Sequence, residues 1–323
     1  MELFQIFITI MDATFRVATP LILASMAGMF SERSGVVDIG LEGKMLGAAF
    51  AAATIASLSG SAWVGLGAGI LTSVALSMLH AYACVTHKGN QVVSGMAINI
   101  MVAGLTPTLA FAWFRMGGQT PALKGDERFH SLTLPFADAV RDIPVIGYTY
   151  AELISGHNII VYIAAASVPI CAWILFRTRF GLRVRAVGEN PHAVDTAGIS
   201  VNVLRYQALA VTGVLCGIAG SYLSTAHGAA FIRDMTAGKG YLALAALIFG
   251  KWKPLPTLFA CLLFAFTDAV QVRMQGVDLP IVGVIPGQFI QALPYILTVL
   301  LLAGFVGKAN PPKAIGQPYI KEK

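Results

Sequence analysis

Apolar runs long enough to cross a bilayer recur from one end of this chain to the other, and they decide what it can fold into. A spanning helix needs about 20 predominantly apolar residues. Runs of that kind occupy roughly 13–30, 38–58, 62–85, 92–115, 158–176, 204–226, 229–250, 255–275 and 288–307. The composition agrees: 56% of the 323 residues are hydrophobic and 12% are charged, where a soluble chain carries about 25% charge. With a mean hydropathy of +0.73, the chain has too few polar residues to cover a water-facing surface. The expectation is an all-α integral membrane protein of about eight to ten transmembrane helices, with residues 1–323 forming one membrane domain.

Residues 1–12 read as a short helix separate from the first span, and the apolar part of the seventh, Tyr241 to Gly250, is too short to cross alone. The start, Met1 to Phe4, lacks the basic region of a cleavable signal, so the first apolar segment is expected to stay in the mature protein. Cys84, Cys171, Cys216 and Cys261 all fall in or beside apolar runs without CxxC spacing, and read as small buried hydrophobes.

The net charge of +6 comes from 22 Lys and Arg against 16 Asp and Glu. The basic residues cluster beside apolar runs, so membrane orientation explains them better than nucleic acid does. Arg177, Arg179, Arg183 and Arg185 crowd the 177–203 connection; His87, Lys88, Lys251 and Lys253 mark two others, and Lys308, Lys313, Lys321 and Lys323 the tail. Simple alternation of the spans puts these on one side, which the positive-inside rule makes the cytoplasm. The 116–157 loop, with Asp126, Glu127, Asp138, Asp142 and Glu152, falls outside.

Four polar features interrupt the apolar pattern. Ser31 to Lys44, SERSGVVDIGLEGK, carries Glu32, Arg33, Asp38, Glu42 and Lys44 among glycines. A charge at membrane depth costs about 2.5–3.5 kcal/mol on insertion scales and is kept where it meets a cavity or a partner. Glu32 and Arg33 also fit a solvated loop. Glu42 and Lys44, two apart, do not share a helix face, so each calls for a partner elsewhere. Phe231 to Tyr241 is a second Gly-interrupted charged stretch in the second half. Two such segments in corresponding halves point to a transporter site and to a possible inverted repeat. Asp268, Gln271 and Gln275 share one face of an apolar helix, as a pore-lining stripe or as interhelical hydrogen bonds. In 183–200, Asn190-Pro191 starts and Gly198 stops a short polar helix suited to docking into a partner.

No GxxxxGK[ST] loop is present, so any ATP that drives this chain is hydrolysed by another subunit. The six histidines are scattered, without HExxH spacing or a GxSxG elbow. An enzyme is disfavoured, and no cofactor or metal is expected.

The chain resembles the bacterial permease family of ABC importers that includes branched-chain amino acid, ribose and nucleoside permeases, and within it the nucleoside-type branch. SERSGVVDIGLEGK at 31–44 and RAVGENPHAVDTAGI at 185–199 carry the resemblance most specifically; AGKGYLALAALIFGKWKP at 237–254 and LPYILTVLLLAG at 293–304 are similar to later family blocks. Asp38 departs from the nucleoside-type motif, where asparagine is common, and resembles the sugar-type permeases. The resemblance implies a type II importer-like helical fold in the bacterial cytoplasmic (inner) membrane. It also implies a cytoplasmic ATPase, a second permease subunit of the same or a homologous chain, and an extracytoplasmic solute-binding protein. It puts Gly188, Glu189, Asn190, Pro191, His192, Asp195 and Gly198 on the ATPase-coupling segment. Asp38, Gly40, Glu42 and Gly43 fall near the substrate path, and the residue pattern adds Asp268 and Gln271. A simple sugar as cargo and an ion-coupled secondary transporter are the alternatives.

Overall fold

The computed structural model describes residues 2–135, 146–274, 278–279, 283–284 and 310–321, with single positions at 292, 296 and 299. Apart from those positions, the expected span 288–307, the block at 293–304 and Gln275 lie outside the described residues. The chain is helical almost throughout, as expected. The helices are α1 (Glu2–Arg33), α2 (Leu41–Ser59), α3 (Ala62–Ala81), α4 (Gln91–Phe114), α5 (Ile146–Thr149), α6 (Ile159–Arg177), α7 (Arg179–Glu189), α8 (Pro191–Thr196), α9 (Val201–Tyr222), α10 (Lys239–Phe249) and α11 (Pro254–Met274). The helices α3 and α9 run on into π turns, Tyr82–Thr86 and Leu223–His227. A two-residue antiparallel pair joins Asp278–Leu279 to Gly283–Val284.

Seven helices among the described residues are long and apolar enough to cross a membrane: α1, α2, α3, α4, α6, α9 and α11. Several helices start where a side chain satisfies the first free amides. Asn90, Asn158, Thr178, Asn190 and Ser200 cap α4, α6, α7, α8 and α9. One expectation is corrected. Residues 2–12 contain no glycine or proline to interrupt the hydrogen-bond ladder, so they extend α1 into a continuous helix of 32 residues. The seventh apolar run is confirmed as too short: α10 has 11 residues, about 16 Å at 1.5 Å each, against a hydrocarbon core of about 30 Å. It is a half-helix, and the chain reaches it through turns at 228–238.

The helices α2 and α9 form the centre: 72% of the apolar window of each is buried, against 28% for α3, α4 and α11. Without a hydrophobic force between helices in lipid, close backbone packing holds such a bundle. Gly217 shows how close: a Cβ there would sit 2.5 Å from the Ile70 Cα. One cluster, including Leu23, Ala27, Leu41, Met45, Cys216 and Tyr222, joins α1, α2 and α9; another, including Met26, Phe30, Cys171, Trp252 and Phe264, joins α1 to α6 and α11. All four cysteines are free and buried, as expected.

The two ends of the bundle are distinct. At one end the turn after α1, the α7–α8 connection, the 250–253 turn and the tail meet. Arg33 donates to the Trp252 carbonyl at 2.7 Å, Ala314 to the Gly188 carbonyl at 2.8 Å and Gly316 to the Gly35 carbonyl at 3.1 Å. At the other end the long loop folds over α9: the amides of Leu123 and Phe129 donate to the carbonyls of Ala229 and Thr225 at 2.7 and 2.9 Å. The basic connections therefore gather at one end and the acidic loop at the other.

Candidate functional site

The two Gly-interrupted stretches meet. The turns at 233–238 place Asp234, Ala237 and Gly238 at φ 55, 47 and 80, a backbone region that side chains other than glycine seldom adopt. They aim the amino end of α10 at the first turn of α2. There Glu42 receives the Gly238 and Gly240 amides on its two oxygens, at 2.8 and 2.6 Å. A helix amino end carries about half a positive charge and unpaired amides, so a carboxylate is the group that suits it. Gly240 lets the two helix ends approach this closely, since a Cβ there would lie 2.6 Å from the Glu42 amide nitrogen.

Asn99 in α4 holds the other side. Its oxygen accepts the Gly43 amide at 2.8 Å, and its nitrogen donates to the Ile39 carbonyl at 3.0 Å and the Tyr241 hydroxyl at 2.9 Å. A cavity of about 270 Å³ opens here, lined by Glu42, Gly43, Asn99, Asp234, Gly238 and Tyr241 among others. Sequence reading missed Asn99; an amide inside the apolar run of α4 was the available signal.

Asp38 and Gly40 are buried behind this cavity. Asp38 and Lys44, both with side chains at 0% exposure, form an ion pair. His80 Nε2 lies 3.9 Å from the second Asp38 oxygen. It also meets the Val37 carbonyl at 3.1 Å, while Nδ1 meets the Ser94 hydroxyl at 3.0 Å. Lys44 and Glu42 thus each have a partner elsewhere, as the spacing argued: Lys44 has Asp38 and Glu42 has α10. The solvated-loop reading of Glu32 and Arg33 is overturned. Glu32 is 6% exposed and accepts the Trp252 indole NH at 2.5 Å, and Arg33 grips the Trp252 carbonyl. The 250–253 turn bends back here and brings the indole against the end of α1.

Asp268 belongs to a second cavity, of about 710 Å³, between α1, α9 and α11, lined also by Asp12, Arg16, Tyr222, His227, Lys239 and Arg273. Asp12 and Arg16 pair at 3.1 Å. Among the described residues Asp268 makes no hydrogen bond or ion pair within the chain, and it lines this cavity. Gln271 is half-buried one turn on, outside the lining of this cavity. Lys239 follows Gly238, so the amino end of α10 contributes to both cavities.

At the basic end, α7 closes at Gly188 and Glu189, Asn190 breaks the helix, and Pro191 opens α8. The Asn190 side chain accepts the Ala193 amide at 3.1 Å. Gly198 turns the chain at φ 76, its amide donating to the Asp195 carbonyl at 2.9 Å. The short polar helix forms where the sequence places it. Glu189, Asn190, His192, Ala193 and Thr196 are exposed, whereas Gly188 is buried against the Arg33 carbonyl.

Spanning helices around a half-helix, with polar cavities on either side of it, fit a membrane permease. The chain belongs to the family described as branched-chain amino acid transport system / permease component, whose model matches residues 10–303. It is similar to the guanosine ABC transporter permease protein NupQ of Bacillus subtilis, 38% identical with all of both chains covered. It is also similar to the nucleoside ABC transporter permease protein NupC of Lactococcus lactis, 38% identical over 95% of each. TsgC13 of Haloferax volcanii, named provisionally as a glucose ABC transporter permease, is 31% identical over 97% of this chain and 98% of its own. The protein is a multi-pass permease subunit of the ABC transporter type.

Proposed function

We propose that this chain forms the membrane path through which an ABC importer takes up nucleosides. The observation that carries the cargo is likeness along whole chains to two permeases, from different organisms, named for guanosine and for nucleosides. Asp38 does not speak for a sugar: its carboxylate is taken up by Lys44 and is shut off from both cavities.

The larger cavity, about 710 Å³, falls in the usual range of small-molecule sites, about 300–1,000 Å³. Asp268 accepts hydrogen bonds from the cargo's hydroxyls there, and Gln271, one turn on and outside the lining, continues the path. Glu42 and Gly43, with Gly40 and Asp38 behind them, hold the half-helix that separates this cavity from the smaller one. By the positive-inside rule the basic end is cytoplasmic and the 116–157 loop external. A separate ATPase grips the segment made by Gly188, Glu189, Asn190, Pro191, His192, Asp195 and Gly198. A second permease chain, identical or homologous, and an extracytoplasmic solute-binding protein complete the machine.

A simple sugar is the second reading, favoured by the likeness to TsgC13. Reconstituting the permease in liposomes with and without its ATPase and binding protein, and offering labelled guanosine, uridine, ribose and glucose in competition, separates these readings. ATP-dependent uptake of the nucleosides is expected. Uptake of ribose or glucose alone overturns the cargo. Uptake without any ATPase overturns the importer class in favour of an ion-coupled transporter.

A further inference from the structure

Residues 310–321 return to the basic end and lodge between elements far apart in the chain. Toward α8, the Tyr319 ring is 8% exposed and packs with Val187, Val194, Val201 and Leu204. It stands 5.3 Å from the His192 ring, and Lys321 lies 3.8 Å from Asp195. Toward the turn after α1, Gly316 donates to the Gly35 carbonyl at 3.1 Å. The buried Arg205 of α9 clamps both layers, donating to the carbonyls of Ser34 and Gln317 at 3.2 Å each.

A helix of six residues is far below the about 12–15 residues at which isolated helices become even marginal in water. Packing must therefore set the direction of α8. Its one buried residue is Val194, and Tyr319 belongs to the cluster that covers it. The segment joined to the other face of the tail, 34–40, leads directly to Asp38 and to the Glu42 cap on α10. A contiguous chain of packed groups thus runs from α8 through Tyr319 and Gln317 to Ser34 and the half-helix, which is the kind of connection that carries coupling between sites.

We propose that residues 310–321 act as a positioning strap that passes displacements of α8 to the 34–40 segment and so to the cavity wall. This rests on α8 being the ATPase contact. Tyr319 is its key positioning residue, and Arg205 fixes the strap to the bundle. The tail is also anchored by the Ala314 amide to the Gly188 carbonyl at the end of α7, the Gly316 amide to the Gly35 carbonyl and the Gln317 carbonyl to Arg205, so loss of the Tyr319 ring removes the packing on α8 itself and leaves these ties in place.

The test uses the complete reconstituted complex, with ATP hydrolysis and cargo uptake measured on the same liposomes. Tyr319→Ala should assemble with the ATPase and hydrolyse ATP, while uptake per ATP falls at least about fivefold, the lower end of typical site-to-site coupling. Tyr319→Phe should restore the ratio, because the ring supplies the packing. Should Tyr319→Ala fail to accumulate, Tyr319→Leu keeps an apolar filling and tests the same ratio. An unchanged ratio in the Ala or Leu variant overturns the strap and leaves the α8 contact standing. Loss of the ATPase from the purified complex also overturns it, making the tail a docking element instead. ATPase-independent uptake by the unaltered protein removes the α8 reading, and the strap with it.

Discussion

Lys44→Met isolates one interaction whose size the geometry fixes. Lys44 and Asp38 are both at 0% side-chain exposure and pair with each other. After the substitution the Asp38 carboxylate loses its cationic partner; the His80 ring stands 3.9 Å away and is already engaged with the Val37 carbonyl. Methionine fills the space of the lysine stem, so little of the effect comes from a cavity. Removing one partner of a buried pair costs about 3–5 kcal/mol, because the remaining charge is left uncompensated, whereas replacing both partners by neutral groups of similar volume is often nearly neutral. An exposed pair would lose only about 0–1 kcal/mol. Asp38→Asn alone should cost a similar amount by stranding the ammonium. The Asp38→Asn/Lys44→Met double variant should recover most of the loss, giving a coupling energy of at least about 3 kcal/mol in the double-mutant cycle. Unfolding of the purified protein in mixed detergent–SDS micelles, followed by tryptophan fluorescence, measures all four corners. Additive losses, or a Lys44→Met cost below about 1 kcal/mol, would refute the buried-pair reasoning.

Four further outcomes are expected. Glu42→Gln should weaken the α10 cap by about 1–2 kcal/mol, since a neutral amide meets the helix amino end less well, and should lower uptake at unchanged membrane abundance; full uptake by this variant removes the cap from the path. Asp268→Asn should cost about 1.5–3 kcal/mol of cargo affinity through the loss of charge-assisted hydrogen bonds, about 10–150-fold in Kd, with the folded fraction unaltered; a Kd within twofold of the parent's contradicts this. In a cysteine-free background, Asp126→Cys should react with an impermeant thiol reagent in intact cells and Ala193→Cys only after permeabilisation, since both positions are exposed, and the reverse pattern inverts the topology. Gly198→Pro, which forces φ from 76 to about −65, and Glu189→Arg should each insert normally yet lose cargo-stimulated ATP hydrolysis; normal coupled turnover by either variant releases that residue from the docking segment.

The spans, the half-helix and α8 were legible because each rests on local physics. Apolar length marks a crossing, 11 residues in α10 fall short of one, and Asn190, Pro191 and Gly198 start and stop a helix through their own backbone preferences. The partners of the charges were not legible. Glu42 finds its amides 196 positions away and Glu32 its indole 220 positions away, distances that no periodicity encodes. Arg205, in the first turns of α9, is fully buried between Ser34 and Gln317, a placement no local pattern encodes. The tail lysines pointed to a side of the membrane without revealing that residues 310–321 pack as structure.

These long-range ties converge on residues 32–44. Glu32 and Arg33 hold the Trp252 turn, Ser34 and Gly35 hold Arg205 and the tail, Asp38 and Lys44 hold each other against His80, and Glu42 holds α10. Every one of them involves a charged group or a buried backbone amide, and leaving such a group unpartnered at depth is costlier than breaking an apolar contact of the same area. Rigid displacement of this segment would break several ties at once, so it must either stay fixed or move together with the elements it holds. An ATPase that binds α8 more tightly in one arrangement can supply only that difference in binding free energy. The low-cost motion is therefore one in which α8, the tail and the 34–44 segment shift as a unit and the strained 233–238 turns absorb the change beside Glu42. The positive φ values at Asp234 and Ala237 put these turns at the wall of the smaller cavity, one step before Lys239, which lines the larger one.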